Sequence, residues 1–273
     1  MESGPIGIFD SGYGGLTIYQ EIVRQLPQYD YIYLGDNARV PYGNRSFEVI
    51  NEYTKDAIEF LFEKGCRLVI LACNTASAKA LRSYQQIHLP KVKGLHKVLG
   101  VIRPTTEIIG SLSTTKKIGV FATQGTVSSG SYEIEIKKFT PEAEVFQQAC
   151  PLWVPLIENQ ETDSDGARYF VKKYVDELMA KSDQIDSIIL GCTHFPLLKD
   201  LIEEYLPPGV QVYEQGQFVA ESLTNYLVRH PEVEERCSKN GNQQFLTTET
   251  AENFDQQATL FLGHPVVSQK VHL

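Results

Sequence analysis

The sequence lacks several features that define other classes of protein. Its 273 residues contain no run or stripe of Lys and Arg, and the formal net charge is −9, which argues against a general nucleic-acid or anionic-membrane surface. The longest apolar runs, such as LVILAC, are too short to cross a bilayer. The amino terminus has neither the basic start nor the apolar core of a signal peptide. We therefore expect a cytoplasmic protein without nucleic-acid or membrane partners.

Cysteine is also scarce. The five cysteines form no dense framework, and their odd number argues against complete internal pairing. Cytosolic thiols stay reduced, so each Cys is interpreted as a packing residue, a ligand or a nucleophile. Cys66 and Cys150 lie beside apolar runs and are expected to pack in the core, whereas Cys237 in the polar segment EERCSKNG is expected to be exposed. Cys73 and Cys192 need another explanation.

Cofactor signatures are missing as well. After Gly12 and Gly14, the third glycine position of a dinucleotide fingerprint is occupied by Thr17. No Lys stands in a recognisable pyridoxal-phosphate setting. A zinc site built from Cys73, Cys192 and His194 would have no clear fourth ligand. We therefore expect no cofactor and no metal. The remaining histidines lie in polar contexts and are expected to be solvated: His88, His96, His230, His264 and His272.

Short apolar runs alternate with amphipathic segments along the chain. One such segment starts at Phe47, with Ile50, Ala57, Ile58 and Leu61 at helical spacing and Ser46 as a candidate N-cap. This alternation predicts an α/β fold with mostly parallel sheets flanked by helices. The tail from about Pro231 onward gives no clear pattern. The predicted buried strands of the first half are IGIF (6–9), YIYL (31–34), LVIL (68–71) and VLGVI (98–102).

Four of these β-type runs recur in the same order later in the chain. IGIFD is similar to IGVFA, YIYLGD corresponds to EVFQQA, LVILAC is similar to SIILGC, and VLGVI corresponds to VQVYE. The repeat predicts two pseudo-symmetric lobes. Cys73 and Cys192 occupy equivalent places in it, each after an apolar strand. Ligands of parallel sheets bind at the carboxyl ends of strands, so two such ends facing each other would enclose one cleft with a thiol on each wall.

Two opposed thiols suit a reaction that is its own mirror image. Racemising an α-amino acid requires removing the α-proton from one face and returning a proton to the other. A thiol titrates near neutrality and can serve as either base or acid. Cys73 and Cys192 are both predicted at the start of a helix, which favours the thiolate.

Polar residues close to the thiols fit the same chemistry. Ser11 and Asp10 end the first strand, and Asp10 is suited to taking up a proton or binding an ammonium group. Four residues that follow the thiols can hydrogen-bond the carboxylates of an amino acid: Asn74, Thr75, Thr193 and His194.

The repeat is not symmetric at its titratable positions. The counterpart of Asp10 is Ala122, and the counterpart of His194 is Thr75. If the halves face each other, each thiol therefore has a helper of its own, Asp10 for Cys73 and His194 for Cys192.

Four motifs carry a resemblance that covers nearly the whole chain. They are FDSGYGGL (9–16), PYGNRS (41–46), ACNTASA (72–78) and GCTHFPLL (191–198). With them the sequence resembles the glutamate racemases of the aspartate/glutamate racemase superfamily. The resemblance implies interconversion of L- and D-glutamate by a cofactor-independent two-base mechanism, with Cys73 and Cys192 as the bases. It also implies supply of D-glutamate for peptidoglycan synthesis.

The resemblance further assigns roles by position. It implies two lobes with the active site in the cleft between them, one formed by residues 1–98 and 209–273 and the other by residues 99–208. Glu214 and Gln215 stand where many members have Asp-Ser, which we interpret as neutral for catalysis. The residues implied to assist catalysis are Asp10, Glu158 and His194. Those implied to contact the substrate are Asp10, Ser11, Tyr42, Gly43, Asn74, Thr75, Thr123, Thr193 and His194.

Other functions stay open at this point. An aspartate or hydantoin racemase would use the same scaffold, because pocket depth cannot be read from the sequence. A non-catalytic amino-acid-binding regulator would need the cleft but neither thiol, and a metal-binding scaffold is a third alternative. Tyr42 and Gly43 could form only a turn after Pro41. The sequence also leaves open whether the chain forms a homodimer.

Overall fold

The structure is a computed structural model that describes residues 3–273. The chain divides into two compact units. The first consists of the chain up to Val101 together with Gly216–Leu273, and the second of Ile102–Gln215. Each unit contains one parallel sheet with helices between its strands, so the predicted α/β class is confirmed.

Within the described residues, the first unit has a six-stranded sheet in the order β10-β9-β2-β1-β3-β4. All of its neighbouring strands run parallel. The strands are β1 (Ile6–Asp10), β2 (Tyr31–Gly35), β3 (Leu68–Leu71), β4 (Lys97–Gly100), β9 (Gln243–Thr247) and β10 (Ser268–Lys270). The α-helices of this unit are α1 (Leu16–Gln25), α2 (Phe47–Glu63), α3 (Asn74–Lys79), α4 (Leu81–Ser83), α11 (Gly216–Arg229), α12 (Pro231–Glu234) and α13 (Ala251–Leu262).

The second unit has a four-stranded sheet in the order β6-β5-β7-β8, again parallel throughout the described residues. Its strands are β5 (Lys117–Ala122), β6 (Glu144–Ala149), β7 (Ser187–Gly191) and β8 (Gln211–Tyr213). Its α-helices are α5 (Ile102–Leu112), α6 (Gln124–Ser129), α7 (Ser131–Phe139), α8 (Trp153–Glu158), α9 (Asp165–Met179) and α10 (Lys199–Tyr205).

The internal repeat is confirmed by the pairing of the strands. The order β2-β1-β3-β4 in the first sheet corresponds to β6-β5-β7-β8 in the second. The register corresponds too, because Ile6 pairs with Leu68 in the first sheet and Ile118 pairs with Ser187 in the second. The strands that precede Cys73 and Cys192 are therefore equivalent elements of the two units.

Local sequence explains why α2 forms where it does. The side chain of Ser46 accepts a hydrogen bond from the backbone N–H of Val49, as expected of an N-cap. Ile50, Ala57, Ile58 and Leu61 are all buried on one face of this helix. Phe47 is the exception to the predicted apolar face, with 49% of its surface exposed.

Two element boundaries differ from the prediction. The run VLGVI ends as a strand at Gly100, and Ile102 already begins α5. Residues from 209 onward were predicted to join the first lobe, but β8 pairs with β7 and belongs to the second unit up to Gln215. The physical reason is the backbone pairing of Gln211 with Ser187, which a sequence boundary does not reveal.

The carboxyl-terminal tail, which gave no clear pattern, forms part of the first sheet. β9 inserts between β2 and β10, and Tyr31 pairs with Gln243. Tail residues therefore contribute half of the neighbours of the central strand β2. No helix within residues 3–273 is both long enough and apolar enough to traverse a bilayer.

Two side chains expected at the surface are buried. Cys237 is only 4% exposed, because its Sγ donates to the carbonyl of Val233 and its backbone pairs with Gly4. His96 is 8% exposed and lies 2.7 Å from an Nη1 of Arg67. Both expectations of exposure were wrong, since polar neighbours in sequence do not decide which side of the chain the fold covers.

Candidate active site

The first candidate cluster lies at the carboxyl ends of β1 and β3. We call it the Cys73 cluster, and it comprises Asp10, Ser11, Tyr42, Gly43, Cys73, Asn74 and Thr75. β1 and β3 are neighbours, and the N–H of Ala72 donates to the carbonyl of Phe9 at 2.7 Å. Parallel strands bring their carboxyl ends to one edge, so this pairing brings the chain after β3 beside the end of β1.

Cys73 caps the helix that follows its strand. Its Sγ accepts a hydrogen bond from the N–H of Ala76 at 3.4 Å, so Cys73 is the N-cap at the predicted start of this helix. The hydroxyl of Ser11 lies 3.4 Å from the same sulfur. The thiol is 5% exposed. Cys73 is therefore held by hydrogen bonds to two separate segments of the first unit.

Asp10 is the last residue of β1 and is 1% exposed. Its Oδ2 accepts a hydrogen bond from the backbone N–H of Gly12 at 3.0 Å. A Cβ atom at Gly15 would lie 2.5 Å from the Cβ of Asp10. The glycine-rich turn thus lets the backbone approach the carboxylate closely.

Asn74 and Thr75 occupy the first two positions of α3. They are 2% and 3% exposed, respectively. Backbone N–H groups at a helix start have no partner within the helix, which makes such a position favourable for an anion. Because Asn74 and Thr75 directly follow Cys73 in the chain, this helix start also lies beside the thiol.

Tyr42 is buried, and its hydroxyl donates to Oδ2 of Asp36. Burial raises the pKa of Tyr42, and the neighbouring Asp36 carboxylate raises it further. Gly43 follows within a turn in which the N–H of Arg45 donates to the carbonyl of Tyr42 at 3.1 Å. The turn expected after Pro41 is thus present, and Tyr42 is anchored to the first sheet as well.

Asp36 was missed by sequence reasoning. It is fully buried, and besides Tyr42 it receives hydrogen bonds from Arg39 Nε at 2.6 Å and from Thr248 Oγ1 at 2.9 Å. The signal was present, because Asp36 directly follows β2 as Asp10 ends β1. Its contact with Thr248 joins residues 212 positions apart.

The second candidate cluster lies in the second unit, at the carboxyl ends of β5 and β7. We call it the Cys192 cluster, and it comprises Thr123, Glu158, Cys192, Thr193 and His194. Cys192 directly follows β7 and is 7% exposed, and Thr193 and His194 are each 5% exposed.

Thr123 follows the neighbouring strand β5 and caps α6. Its hydroxyl accepts a hydrogen bond from the N–H of Thr126 at 3.3 Å. The strand pairing brings the segment around Thr123 to the same sheet edge as Cys192. Its side chain is half-buried.

The expectation that both thiols begin a helix is correct only for Cys73. After Cys192 the chain makes a turn, and a short 3₁₀ helix, Phe195–Leu198, begins after His194. α10 starts only at Lys199. Thr193 and His194 lie between Cys192 and the first residue of this helix. The electrostatic setting of Cys192 therefore depends on its side-chain neighbours.

His194 is the centre of this second cluster. Its Nδ1 lies 4.0 Å from the Sγ of Cys192, and its Nε2 lies 3.0 Å from Oε1 of Glu158. Burial lowers the pKa of His194, but the hydrogen bonds to Cys192 and Glu158 outweigh burial and raise it to about 10. This direction favours the protonated imidazole, which can donate toward both neighbours.

Glu158 was assigned by resemblance alone, and its placement has a structural reason. It is the last residue of α8, and its side chain is 26% exposed. α8 packs through the buried Trp153, whose ring contacts those of Phe121 and Phe195 at 4.9 and 4.8 Å. Phe195 follows His194 directly, so this aromatic contact brings the end of α8 to the imidazole.

Two further groups near Cys192 were also missed. Tyr132 is fully buried, and a Cβ at Gly191 would lie 3.0 Å from its ring. Its pKa is raised by burial and then by Cys192. Cys150, expected to pack in the core, is buried, and its pKa is likewise raised by burial and by Cys192. No sequence signal linked either residue to Cys192.

Among residues 3–273, no three side chains of His, Cys, Asp or Glu lie grouped so that they could hold a metal ion. The structure thus brings together Ser11 with Cys73, and Cys192 with His194 and Glu158. A buried thiol beside an imidazole, and a second thiol beside a strand-end carboxylate, are groups suited to proton transfer.

Comparisons with known proteins agree with this chemistry. The family model of the Asp/Glu/hydantoin racemases matches residues 6–223. The glutamate racemase of Ruegeria sp. (strain TM1040) is 42% identical over 271 residues, which cover 96% of this chain and 97% of that protein.

Solved structures agree as well. The crystal structure of glutamate racemase isoform RacE1 from Bacillus anthracis is similar with a TM-score of 0.90 and 33% identity, over 100% of this chain and 99% of that one. The glutamate racemase of Francisella tularensis in complex with D-glutamate has a TM-score of 0.87 and 31% identity, over 100% of this chain and 98% of that one.

Two repeated parallel units with a thiol after the equivalent strand of each define the class, and these matches extend over nearly the whole chain. The chain therefore belongs to the Asp/Glu/hydantoin racemase family. It is an amino-acid racemase, an isomerase, and the resemblance to glutamate racemases drawn from its motifs is confirmed.

Proposed function

We propose that the protein interconverts L- and D-glutamate without a cofactor, and that Cys73 and Cys192 exchange protons with the α-carbon from opposite faces. The observation that carries this proposal is the equivalence of the two thiols. Each follows the same strand of a repeated sheet, β3 in one unit and β7 in the other. One proton carrier on each face suits a reaction that is its own mirror image, and a repeated fold supplies two.

In the direction from L-glutamate, the Cys192 thiolate takes the α-proton and becomes a thiol. The electron pair of the broken C–H bond stays on the α-carbon and its carboxylate. The Cys73 thiol then gives its proton to the opposite face, which forms D-glutamate and leaves Cys73 as the thiolate. Exchange with solvent restores the starting protonation state. From D-glutamate the same steps run in reverse.

His194 and Glu158 support the Cys192 step. A protonated imidazole 4.0 Å from the sulfur stabilises the thiolate, and the carboxylate 3.0 Å away on the other side of the ring stabilises the imidazolium. Asp10 is proposed to assist the Cys73 step, as the titratable group that ends β1 beside this thiol.

The substrate is proposed to be held by backbone and side-chain donors around the two thiols. Asn74 and Thr75 at the start of α3 suit a carboxylate. The other proposed contacts are Ser11, Tyr42, Gly43, Thr123 and Thr193. Glutamate is favoured over aspartate or a hydantoin because the relatives with 42%, 33% and 31% identity are glutamate racemases, one of them in complex with D-glutamate. The product D-glutamate would supply peptidoglycan synthesis.

Chiral chromatography of the purified protein incubated separately with L-Glu, D-Glu, L-Asp and a 5-substituted hydantoin tests the substrate. We expect both glutamate enantiomers to reach a racemic mixture and the other substrates to remain unchanged. Faster racemisation of aspartate or of the hydantoin would show that this compound, and not glutamate, is the preferred substrate. Activity should survive dialysis against EDTA; loss that zinc restores would contradict the cofactor-free mechanism.

The role of the thiols is tested by Cys73→Ala and Cys192→Ala. Each should abolish racemisation, because one face of the α-carbon is left without a proton carrier. Controls are Cys66→Ala and Cys237→Ala, which remove buried thiols with no proposed role. A thiol variant that racemises at the rate of its control would refute the two-base mechanism.

Deuterium gives an independent test. In D₂O, each converted molecule should gain α-deuterium, while substrate recovered early should keep its α-hydrogen, because the delivered proton comes from a thiol that has exchanged with solvent. NMR and mass spectrometry of the separated enantiomers at initial rates measure both. Substantial α-hydrogen retained in the product would indicate a single base that serves both faces.

A further inference from the structure

Tyr33 is a buried residue of β2 that the mechanism does not use. It is fully buried and pairs with Ile8 of β1. Ile8 and Asp10 are two residues apart on β1 and share one face of the sheet, and in-register parallel pairing puts Tyr33 on that face as well. Its hydroxyl donates to the carbonyl of Gly12 at 3.0 Å.

Gly12 is held by hydrogen bonds at both its backbone carbonyl and its backbone N–H. Its carbonyl accepts from Tyr33, and its N–H donates to Oδ2 of Asp10 at 3.0 Å. The backbone of Gly35 closes the other side, because a Cβ there would lie 2.8 Å from the carbonyl oxygen of Gly12. The orientation of the Asp10 carboxylate therefore depends on a residue whose own position is set by the Tyr33 hydroxyl.

Tyr33 is itself rigidly packed. Its ring meets that of Tyr19 edge-on at 5.7 Å and that of Phe254 at 6.1 Å. Burial raises its pKa well above the ordinary value, and the nearby Asp10 and Cys73 raise it further. The hydroxyl thus keeps its proton throughout the working range and remains a donor to Gly12.

We propose that Tyr33 is a positioning residue for the racemisation step assisted by Asp10: its hydroxyl fixes Gly12, and Gly12 orients the Asp10 carboxylate. This role rests on the proposed function, because it matters for catalysis only if Asp10 assists proton transfer at Cys73. Tyr33 is proposed to act through Gly12 and not directly on the reacting atoms. It contributes through a chain of two hydrogen bonds within the first unit.

Tyr31 offers a closely matched control on the same strand. It is 2% exposed, its hydroxyl donates to the backbone carbonyl of Leu26 at 2.7 Å, and its ring also meets Tyr19 edge-on, at 6.0 Å. Tyr31→Phe and Tyr33→Phe each remove one buried hydroxyl that donates to a backbone carbonyl. Only Tyr33→Phe removes a hydrogen bond to Gly12, the residue whose N–H binds the Asp10 carboxylate.

The two variants should lose similar amounts of thermal stability but differ in catalysis. We expect Tyr33→Phe to lower kcat from D-Glu about fivefold, the effect of one net hydrogen bond, with a smaller fall from L-Glu. Tyr31→Phe should keep kcat in both directions. The primary isotope effect with α-deuterated D-Glu should rise in Tyr33→Phe, because the step at Cys73 becomes slower. In an Asp10→Asn background, Tyr33→Phe should have no further effect, since the two residues act as one unit.

Equal kinetics of Tyr33→Phe and Tyr31→Phe would overturn the proposal, as would full additivity of Tyr33→Phe and Asp10→Asn. A crystal structure of Tyr33→Phe gives a reading that needs no substrate: the carboxylate of Asp10 should leave the N–H of Gly12. An unchanged Asp10 would overturn the positioning role even if the wild type racemises glutamate. A displaced Asp10 in a protein that does not racemise glutamate would instead refute the proposed function.

Discussion

Replacing His194 by Asn removes a group that contacts both Cys192 and Glu158. Asparagine is shorter and uncharged, so it cannot reach both neighbours and cannot carry a proton. The variant therefore leaves Cys192 without its cationic donor while Asp10 and Cys73 in the first unit are untouched. We expect the step at Cys192 to slow and the step at Cys73 to keep its rate.

The size of the effect follows from the two contacts. A hydrogen bond to a charged group contributes about 1.5–3 kcal/mol, which corresponds to roughly 10- to 150-fold in rate. The distance of 4.0 Å from Nδ1 to Sγ is long for such a bond. We therefore expect the lower end, about a tenfold fall in kcat from L-Glu, and a smaller fall from D-Glu.

The equilibrium constant between enantiomers is one, so kcat/KM must fall equally in both directions in every variant. Asymmetry can therefore appear only in kcat and KM taken separately and in isotope effects. Initial rates with α-deuterated substrates distinguish the two steps. In His194→Asn, the isotope effect on kcat/KM should rise for L-Glu, whose α-proton Cys192 removes, and fall for D-Glu, whose α-proton Cys73 removes.

His96→Asn is the matched control, because His96 is also buried but contacts Arg67 in the first unit. It should change stability without any asymmetry between the enantiomers. Isotope effects that change equally for L-Glu and D-Glu in His194→Asn would refute the assignment of this histidine to Cys192. The same holds if the asymmetry has the opposite sign.

Three more measurements test the structure. The pKa of His194 is raised from 6.5 to about 10 on folding, so its protonation stabilises the fold fully below pH 6.5, and this contribution is lost as the pH rises to about 10. Urea unfolding should therefore show the stability of the wild type relative to His194→Asn falling across that window. A constant difference between the two proteins would contradict the shift. Burial raises the pKa of Cys66 and Cys237 to about 12, so at pH 8 each of these thiols is a thiolate in only about one molecule in 10⁴. Iodoacetamide should leave both cysteines unmodified until the protein is unfolded. Rapid labelling of Cys237 in the native protein would contradict its burial. Gly15 has φ −58°, which alanine tolerates, but a Cβ there would lie 2.5 Å from the Cβ of Asp10. Gly15→Ala should therefore lower the free energy of unfolding by about 1–3 kcal/mol and should lower kcat from D-Glu more than from L-Glu. Wild-type kinetics of this variant would show that Asp10 need not be held so closely.

Features that depend on short stretches of chain could be predicted from the sequence alone. The strands β1, β2 and β3 lie where apolar runs predicted them, and Ser46 caps α2. The repeat predicted two similar units, and the strand order and register of the two sheets do correspond. These features are local because apolar periodicity, helix capping and strand ends depend on residues that are close together in the sequence. The placement of Cys73 and Cys192 after equivalent strands follows from them.

Contacts between distant segments were decided only by the tertiary structure. Glu158 lies 36 residues from His194 in the chain, and only the aromatic packing of α8 brings its carboxylate within 3.0 Å of the imidazole. Cys237 looked exposed in its polar segment, yet pairing with Gly4 buries it. The tail inserts β9 beside β2, and β8 joins the second sheet through β7. The physical reason is common to all four. Burial and hydrogen bonding depend on which surfaces the whole chain covers. The free energy of folding is summed over contacts between distant segments, so no single segment of sequence determines these arrangements.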